Sequence, residues 1–174
     1  MTADEPTFGE VLRQAIRARG LSLERIHARL GADYGLSVSM ATLSYWQSGR
    51  AVPRRSSSQE AVRALGVSGV PEVVLCGVHL AAYGSDCGES LVALLERLEA
   101  RPPPCRVRLS SLEPMEAGEA LVDLVAGGRV VAPHLHLPLQ SGSDAVLRRM
   151  RRGMTAARFR ALLARAARAN PRIH

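Results

Sequence analysis

The sequence predicts an α/β chain in two parts, an all-helical stretch over residues 1–66 and about three strand–helix units over residues 67–174. Two observations carry this. Before residue 66, apolar residues recur at three- and four-residue spacing between Ser and Gly punctuation. After residue 70, short apolar runs alternate with amphipathic stretches, the pattern of parallel strands joined by crossover helices. A chain of 174 residues is long enough for one full domain or two small ones. Aromatics make up 3% of it, so the core must be built from Leu, Val and Ala.

The helical part opens with Phe8, Val11, Leu12, Ala15 and Ile16 on one face. Thr7 and Glu10 form a capping box, and Gly20 ends the helix. Ser22 caps a second helix with Leu23, Ile26, His27 and Leu30 inward, and His27 is expected to pack in the core. Gly31 to Gly35 reads as a turn-rich break. A third helix runs from Ser39 to Ser48, with Leu43 and Trp46 inward, and a short fourth from Ser58 to Leu65.

Glu72–Leu75 then reads as a buried strand ending at Cys76, a core thiol. Ser90–Leu98 follows as a helix, stopped by the prolines at 102–104. Arg106–Leu109 is a second strand, Ala117–Val125 a helix and His134–Leu137 a third strand. Ser143–Met150 and Thr155–Ala169 are helices.

All 23 basic residues are Arg, and the formal charge is +7. That excess suits nucleic acid or a solvated arginine-rich surface. Three cysteines and no signal peptide argue against a disulfide framework. No apolar run is long enough to span a bilayer, and the chain reads as soluble and cytoplasmic.

Three short helices with a tight second-to-third connection suggest a helix-turn-helix, whose third helix presents its N-terminal turn and one face to the DNA major groove. Met40, Ala41, Ser44, Tyr45 and Gln47 take that outer side. Arg50, Arg54 and Arg55 follow, where they can neutralise phosphates. The segment Ser39 to Arg50, reading SMATLSYWQSGR, resembles the recognition helix of Cro/C1-type (XRE) helix-turn-helix domains, and Leu12 to Leu23 resembles their first helix. The resemblance implies duplex DNA as the partner of residues 1–66. It departs in two places: the second-to-third connection is longer, and Met40 and Ala41 stand where base-contacting Gln or Ser is usual. Apolar side chains reach thymine methyls but make no bidentate hydrogen bonds. The other reading of these residues is a small bundle for protein contacts.

In the second part, polar residues collect at the C-terminal ends of strands, the ligand face of an α/β barrel. Three stretches are specific. Glu72 to Gly84 reads EVVLCGVHLAAYG, Arg106 to Pro114 reads RVRLSSLEP, and His134 to Thr155 reads HLHLPLQSGSDAVLRRMRRGMT. Together they resemble radical SAM methylthiotransferases, and Gly77 to Gly84 resembles the branch acting on threonylcarbamoyladenosine in tRNA. The resemblance implies a partial (β/α) barrel of about three units that binds S-adenosylmethionine through Ser110, Glu113, Gln140 and Ser141, with Gly77 and Tyr83 shaping the loop beside it. It also implies tRNA as a partner. Pro138, Gly142 and Asp144 are equally explained as turn and cap residues.

The family's [4Fe–4S] cluster needs a CxxxCxxC loop, and Cys76, Cys87 and Cys105 do not supply one. No residue is therefore given a catalytic or metal-binding role. The family's N-terminal domain, later strands and RNA-binding domain are expected to lie outside this sequence, and open sheet edges invite self-association. The seam between the parts falls anywhere from residue 53 to 70. The reading is a fusion of a DNA-binding module to an incomplete methylthiotransferase core without activity of its own. The alternative is an S-adenosylmethionine-binding fragment whose partner supplies the cluster, and a third is a mis-joined reading frame.

Overall fold

The computed structural model describes residues 6–53 and 57–174. The chain is helix-rich α/β and divides into two compact units. Unit one comprises residues up to Val73 together with Arg101–Arg106, and unit two comprises Val74–Ala100 and Val107–His174.

Unit one holds α1 (Phe8–Ala18), α2 (Leu23–Tyr34), α3 (Met40–Ser48) and α4 (Ser58–Val67). Each of the first three starts where a hydroxyl can take an orphan amide. Thr7 and Glu10 form the capping box of α1, Ser22 Oγ accepts from Arg25 N, and Ser39 Oγ accepts from Thr42 N. Gly31 does not break the second helix, which continues to Tyr34 and ends on Gly35 at φ +64°. A glycine inside a helix is tolerated at modest cost, whereas the left-handed position requires one. The connection to α3 is accordingly shorter than the sequence suggests. Leu12, Ile26, Leu30, Leu43, Trp46 and Leu65 make the core. His27 is exposed rather than packed; its Nδ1 meets the Val38 carbonyl at 2.8 Å. Side chains of 23, 26 and 30 already fill the inner stripe, so position 27 falls at its margin.

Segment 101–106 closes unit one against α4. Arg63 is fully buried. Its guanidinium donates to the Arg101 carbonyl and lies 5.8 Å from the centre of the Tyr34 ring. Cys105, not Cys76, is the buried thiol, with its Sγ 3.6 Å from the Val62 carbonyl; Cys76 and Cys87 are exposed. Burial pushes the Cys105 thiol up to about 11. The folded state therefore holds this proton more tightly than an unfolded thiol titrating near 9.0. The resulting stabilisation is complete below pH 9 and is lost as pH rises through 11. Tyr34, raised chiefly by its own burial, acts in the same direction. Unit one is expected to lose stability between about pH 9 and 11, and Cys105→Ala to shrink that loss, read as urea midpoints from Trp46 fluorescence. An equal loss in the variant contradicts the assignment.

β1 (Glu72–Leu75) and β2 (Arg106–Leu109) pair in parallel, with Arg106 N donating to Pro71 O at 2.9 Å and Ser110 N to Leu75 O at 3.0 Å. β1 is half-exposed rather than buried, and Val74 is 49% accessible. The third strand expected at 134–137 does not form. Instead Val131 makes a parallel bridge to Val107, through Val107 N to Val130 O and Ala132 N to Val107 O. Pro133 and Pro138 flank the expected strand and carry no N–H for a ladder, so regular pairing stops between them. Single bonds continue the alignment: Leu112 N donates to His136 O, and His174 exchanges bonds with Pro133 O and Leu135 N.

In unit two, α5 (Leu91–Ala100), α6 (Glu119–Gly127), α7 (Asp144–Arg149) and α8 (Ala156–Ala169) alternate with these extended segments. Leu94, Leu95, Leu98, Val107, Leu109, Val122 and Val125 are buried with no more than 2% accessibility. At the end of α5, the Glu99 carboxylate accepts from the amides of Arg129, Val130 and Val131 at 3.1, 2.9 and 3.1 Å. This fixes the start of the third extended segment. Thr155 Oγ1 caps α8 by accepting from Arg158 N, and Asp144 Oδ1 accepts from Ala156 N. No described helix is long and apolar enough to cross a membrane.

Candidate functional site

Unit two presents the ends of its parallel segments on one side. β2 runs into Ser110–Glu113, and the neighbouring segment runs through His136 to Gln140 and Ser141. The Leu112–His136 bond holds the two runs together. Ser110 is half-buried, and its amide is used by Leu75. Glu113 is half-exposed, and its carboxylate is taken by the Arg152 guanidinium. Gln140 is exposed and sits at φ +74°, a left-handed conformation unusual for a residue with a Cβ. Holding it there costs about 1 kcal/mol, which the surrounding turn must supply. Ser141 Oγ accepts from Ser143 N at 3.1 Å and thereby shapes the same turn.

The loop after β1 carries Gly77, the 3₁₀ turn Leu80–Ala82 and half-buried Tyr83. Gly84 is needed there. It lies at φ +79°, and a Cβ on it would stand 2.5 Å from the Glu89 Cβ. His79 Nε2 meets the Glu116 carboxylate at 2.6 Å, joining this loop to the turn after β2. His79–Glu116 and Arg152–Glu113 are long-range pairs that no local sequence signal marks.

Of the positions expected to face DNA, Ala41, Ser44, Tyr45 and Arg50 are exposed on α3 or just beyond it, and Met40 and Gln47 are half-buried. The Gln47 carbonyl accepts from Arg13 at 2.7 Å. Arg54 and Arg55 lie outside the described residues.

The cysteines do not fit a [4Fe–4S] cluster. Cys105 is buried within unit one against Val62, Cys76 and Cys87 are exposed on unit two, and the described residues hold no group of three metal-binding side chains. No step through such a cluster follows from this chain.

No protein-family model matches the chain. Curated proteins do. A tRNA-2-methylthio-N(6)-dimethylallyladenosine synthase from Anaeromyxobacter dehalogenans is 44% identical over 96 residues, 55% of this chain and 20% of that protein. A threonylcarbamoyladenosine tRNA methylthiotransferase from Thermotoga maritima is 43% identical over 86 residues, 49% of this chain and 20% of that protein. The chain resembles tRNA methylthiotransferases over about half its length. A synthase from Citrifermentans bemidjiense is 41% identical over 128 residues, 72% of this chain and 29% of that protein. The chain thus spans about a fifth to three-tenths of the length of these relatives. Residues 67–174 number only 108, so the 128-residue match takes in residues before 67 as well. Synthase and threonylcarbamoyladenosine enzyme match at similar identity.

Proposed function

We propose that unit two is the S-adenosylmethionine-binding part of a tRNA methylthiotransferase-like barrel that depends on a partner for its iron–sulfur cluster. One observation carries this: 41–44% identity to tRNA methylthiotransferases over 49–59% of the chain. The sequential parallel alignment of residues 71–75, 106–110, 130–136 and 174 supports the barrel reading. In chemical type the donors suit the ligand. Ser110 and Ser141 offer hydroxyls and Gln140 an amide for a nucleoside, and Glu113 offers a carboxylate for an ammonium once Arg152 releases it. When bound, S-adenosylmethionine supplies the group to be transferred. The chain's own residues orient it at the strand ends. The Gly77 to Gly84 stretch leans the reading toward threonylcarbamoyladenosine in tRNA.

Equilibrium dialysis with labelled S-adenosylmethionine tests this. Saturable binding is expected, weakened about tenfold by Gln140→Ala, the loss of one side-chain hydrogen bond to the ligand of about 1.4 kcal/mol. No binding at millimolar ligand overturns it.

The second reading assigns duplex-DNA binding to residues 1–66 as a helix-turn-helix module. It rests on the Ser39 cap, on Leu43 and Trp46 buried beneath α3, and on Ala41, Ser44, Tyr45 and Arg50 exposed above them. The relatives favour the first reading, which stood as the alternative from sequence alone. The 72% match also favours placing α4 with the methylthiotransferase-like part and the seam toward residue 53.

A further inference from the structure

The chain's charge is distributed unevenly. Residues 145–174 hold nine of the 23 arginines and no Asp or Glu, a net +9, whereas the preceding 144 residues hold 14 arginines against 16 acids, a net −2. The entire positive excess therefore lies on α7, α8 and the turns around them. Only two of these nine arginines are neutralised. Arg152 pairs with Glu113, and Arg165 donates to Glu119 at 2.6 Å and to Asp123 at 2.5 Å. The other seven, Arg148, Arg149, Arg151, Arg158, Arg160, Arg168 and Arg172, are exposed, and among the described residues none makes an ion pair. Repulsion among unpaired like charges is unfavourable for folding, and an anionic counterpart bound there relieves it.

Two local features sharpen this. Arg151 occupies the left-handed position that closes α7, at φ +56°, with its amide on Arg148 O and the Arg152 amide on Leu147 O. Glycine is the residue such a cap favours, and an arginine there costs on the order of 1 kcal/mol. Arg158 and Arg168 stand at the rim of a concavity of about 260 Å³ between α6 and α8, whose lining carboxylate, Glu119, is neutralised by Arg165.

We propose that the exposed arginines of α7, α8 and the turns beside them are where unit two docks the phosphate backbone of folded tRNA. The inference rests on the reading of unit two as a tRNA methylthiotransferase-like part, and it adds the surface that holds the RNA. Phosphate contacts of this kind position a polyanion without reading its sequence. Specificity must come from the strand-end loops.

The test is fluorescence anisotropy of the full chain with labelled tRNA transcript and with duplex DNA of mixed sequence, across a salt series. The variants are Arg158→Gln/Arg160→Gln/Arg168→Gln on α8 and, as an equal charge control, Arg17→Gln/Arg25→Gln/Arg50→Gln in unit one; all six side chains are exposed and without ion pairs, so folding is preserved. Expected is a loss of tRNA affinity of about tenfold or more at 0.1 M salt in the α8 variant, with the log–log salt slope reduced by about 2, and little change in the control. Equal losses in both variants, or none in the α8 variant, overturn the docking surface while leaving the methylthiotransferase reading intact. Tighter binding of duplex DNA, lost in the control and not in the α8 variant, overturns the surface and favours the helix-turn-helix. Absence of any RNA binding also overturns the surface, and the dialysis against S-adenosylmethionine then decides the parent reading separately.

Discussion

Trp46→Ala is expected to destabilise unit one by about 3–5 kcal/mol, the range for removing a large buried aromatic. Trp46 is 3% accessible at the centre of the α1–α3 contact, and its ring meets Phe8 edge-on, with centroids 5.9 Å apart and planes at 85°. That pairing adds about 1 kcal/mol beyond burial. The cavity cannot close by helix approach, because α1 and α3 already touch through backbone: a Cβ on Gly9 would stand 2.7 Å from Trp46 O. With nothing left to move closer, most of the transfer and cavity loss remains. Urea unfolding followed by far-UV circular dichroism measures it. A loss under about 1 kcal/mol would show that the α1–α3 contact does not organise this unit. Ser44→Ala, on the exposed side of the same helix, is expected to change stability by less than about 0.5 kcal/mol.

Glu99→Ala is expected to destabilise unit two by about 3 kcal/mol. Its carboxylate is the shared acceptor for three successive amides, and Val130 and Val131 are buried, so removal leaves two amides without water. Each buried orphan costs about 1–3 kcal/mol. Arg129 is exposed and can turn to solvent. Glu99→Gln keeps one acceptor oxygen and is expected to lose about half as much. Hydrogen exchange at Val107 and Ala132, whose amides bond across this segment, reports unit two directly, while Trp46 fluorescence follows unit one and should not change. Unchanged exchange at both amides would contradict the role given to Glu99.

Much of the fold is legible in the sequence because its signals are local. Thr7, Ser22, Ser39 and Thr155 mark helix starts by hydroxyls that the structure shows accepting backbone amides, and the two strands fall where the apolar runs place them. The misreadings occur where local signals conflict or where the deciding contact is remote. Gly31 looks like a stop, but Gly35 is the residue in the left-handed conformation. Cys76 follows an apolar run and looks buried, but β1 has Val74 exposed beside it, and Cys105 is buried by α4 instead. The run from His134 to Leu137 has strand composition, yet Pro133 and Pro138 leave it only isolated bonds.

The candidate site divides in the same way. Ser110, Glu113, Gln140 and Ser141 stand out in sequence as polar residues after strands. Nothing in sequence shows that Glu113 is held by Arg152 or that His79 is held by Glu116, pairs 39 and 37 residues apart. Nor does the overall charge of +7 reveal that its source is confined to the last 30 residues, since that requires counting acids and arginines segment by segment.

The central claim is that the strand ends of unit two bind S-adenosylmethionine. At 18.7 kDa the chain suits amide-resolved NMR, and titrating isotopically labelled protein with S-adenosylmethionine tests the claim most directly. Saturable shifts confined to residues 110–113 and 139–142 and the 77–84 loop are the predicted result. Spectra unchanged at millimolar ligand, or shifts confined to unit one, would contradict it.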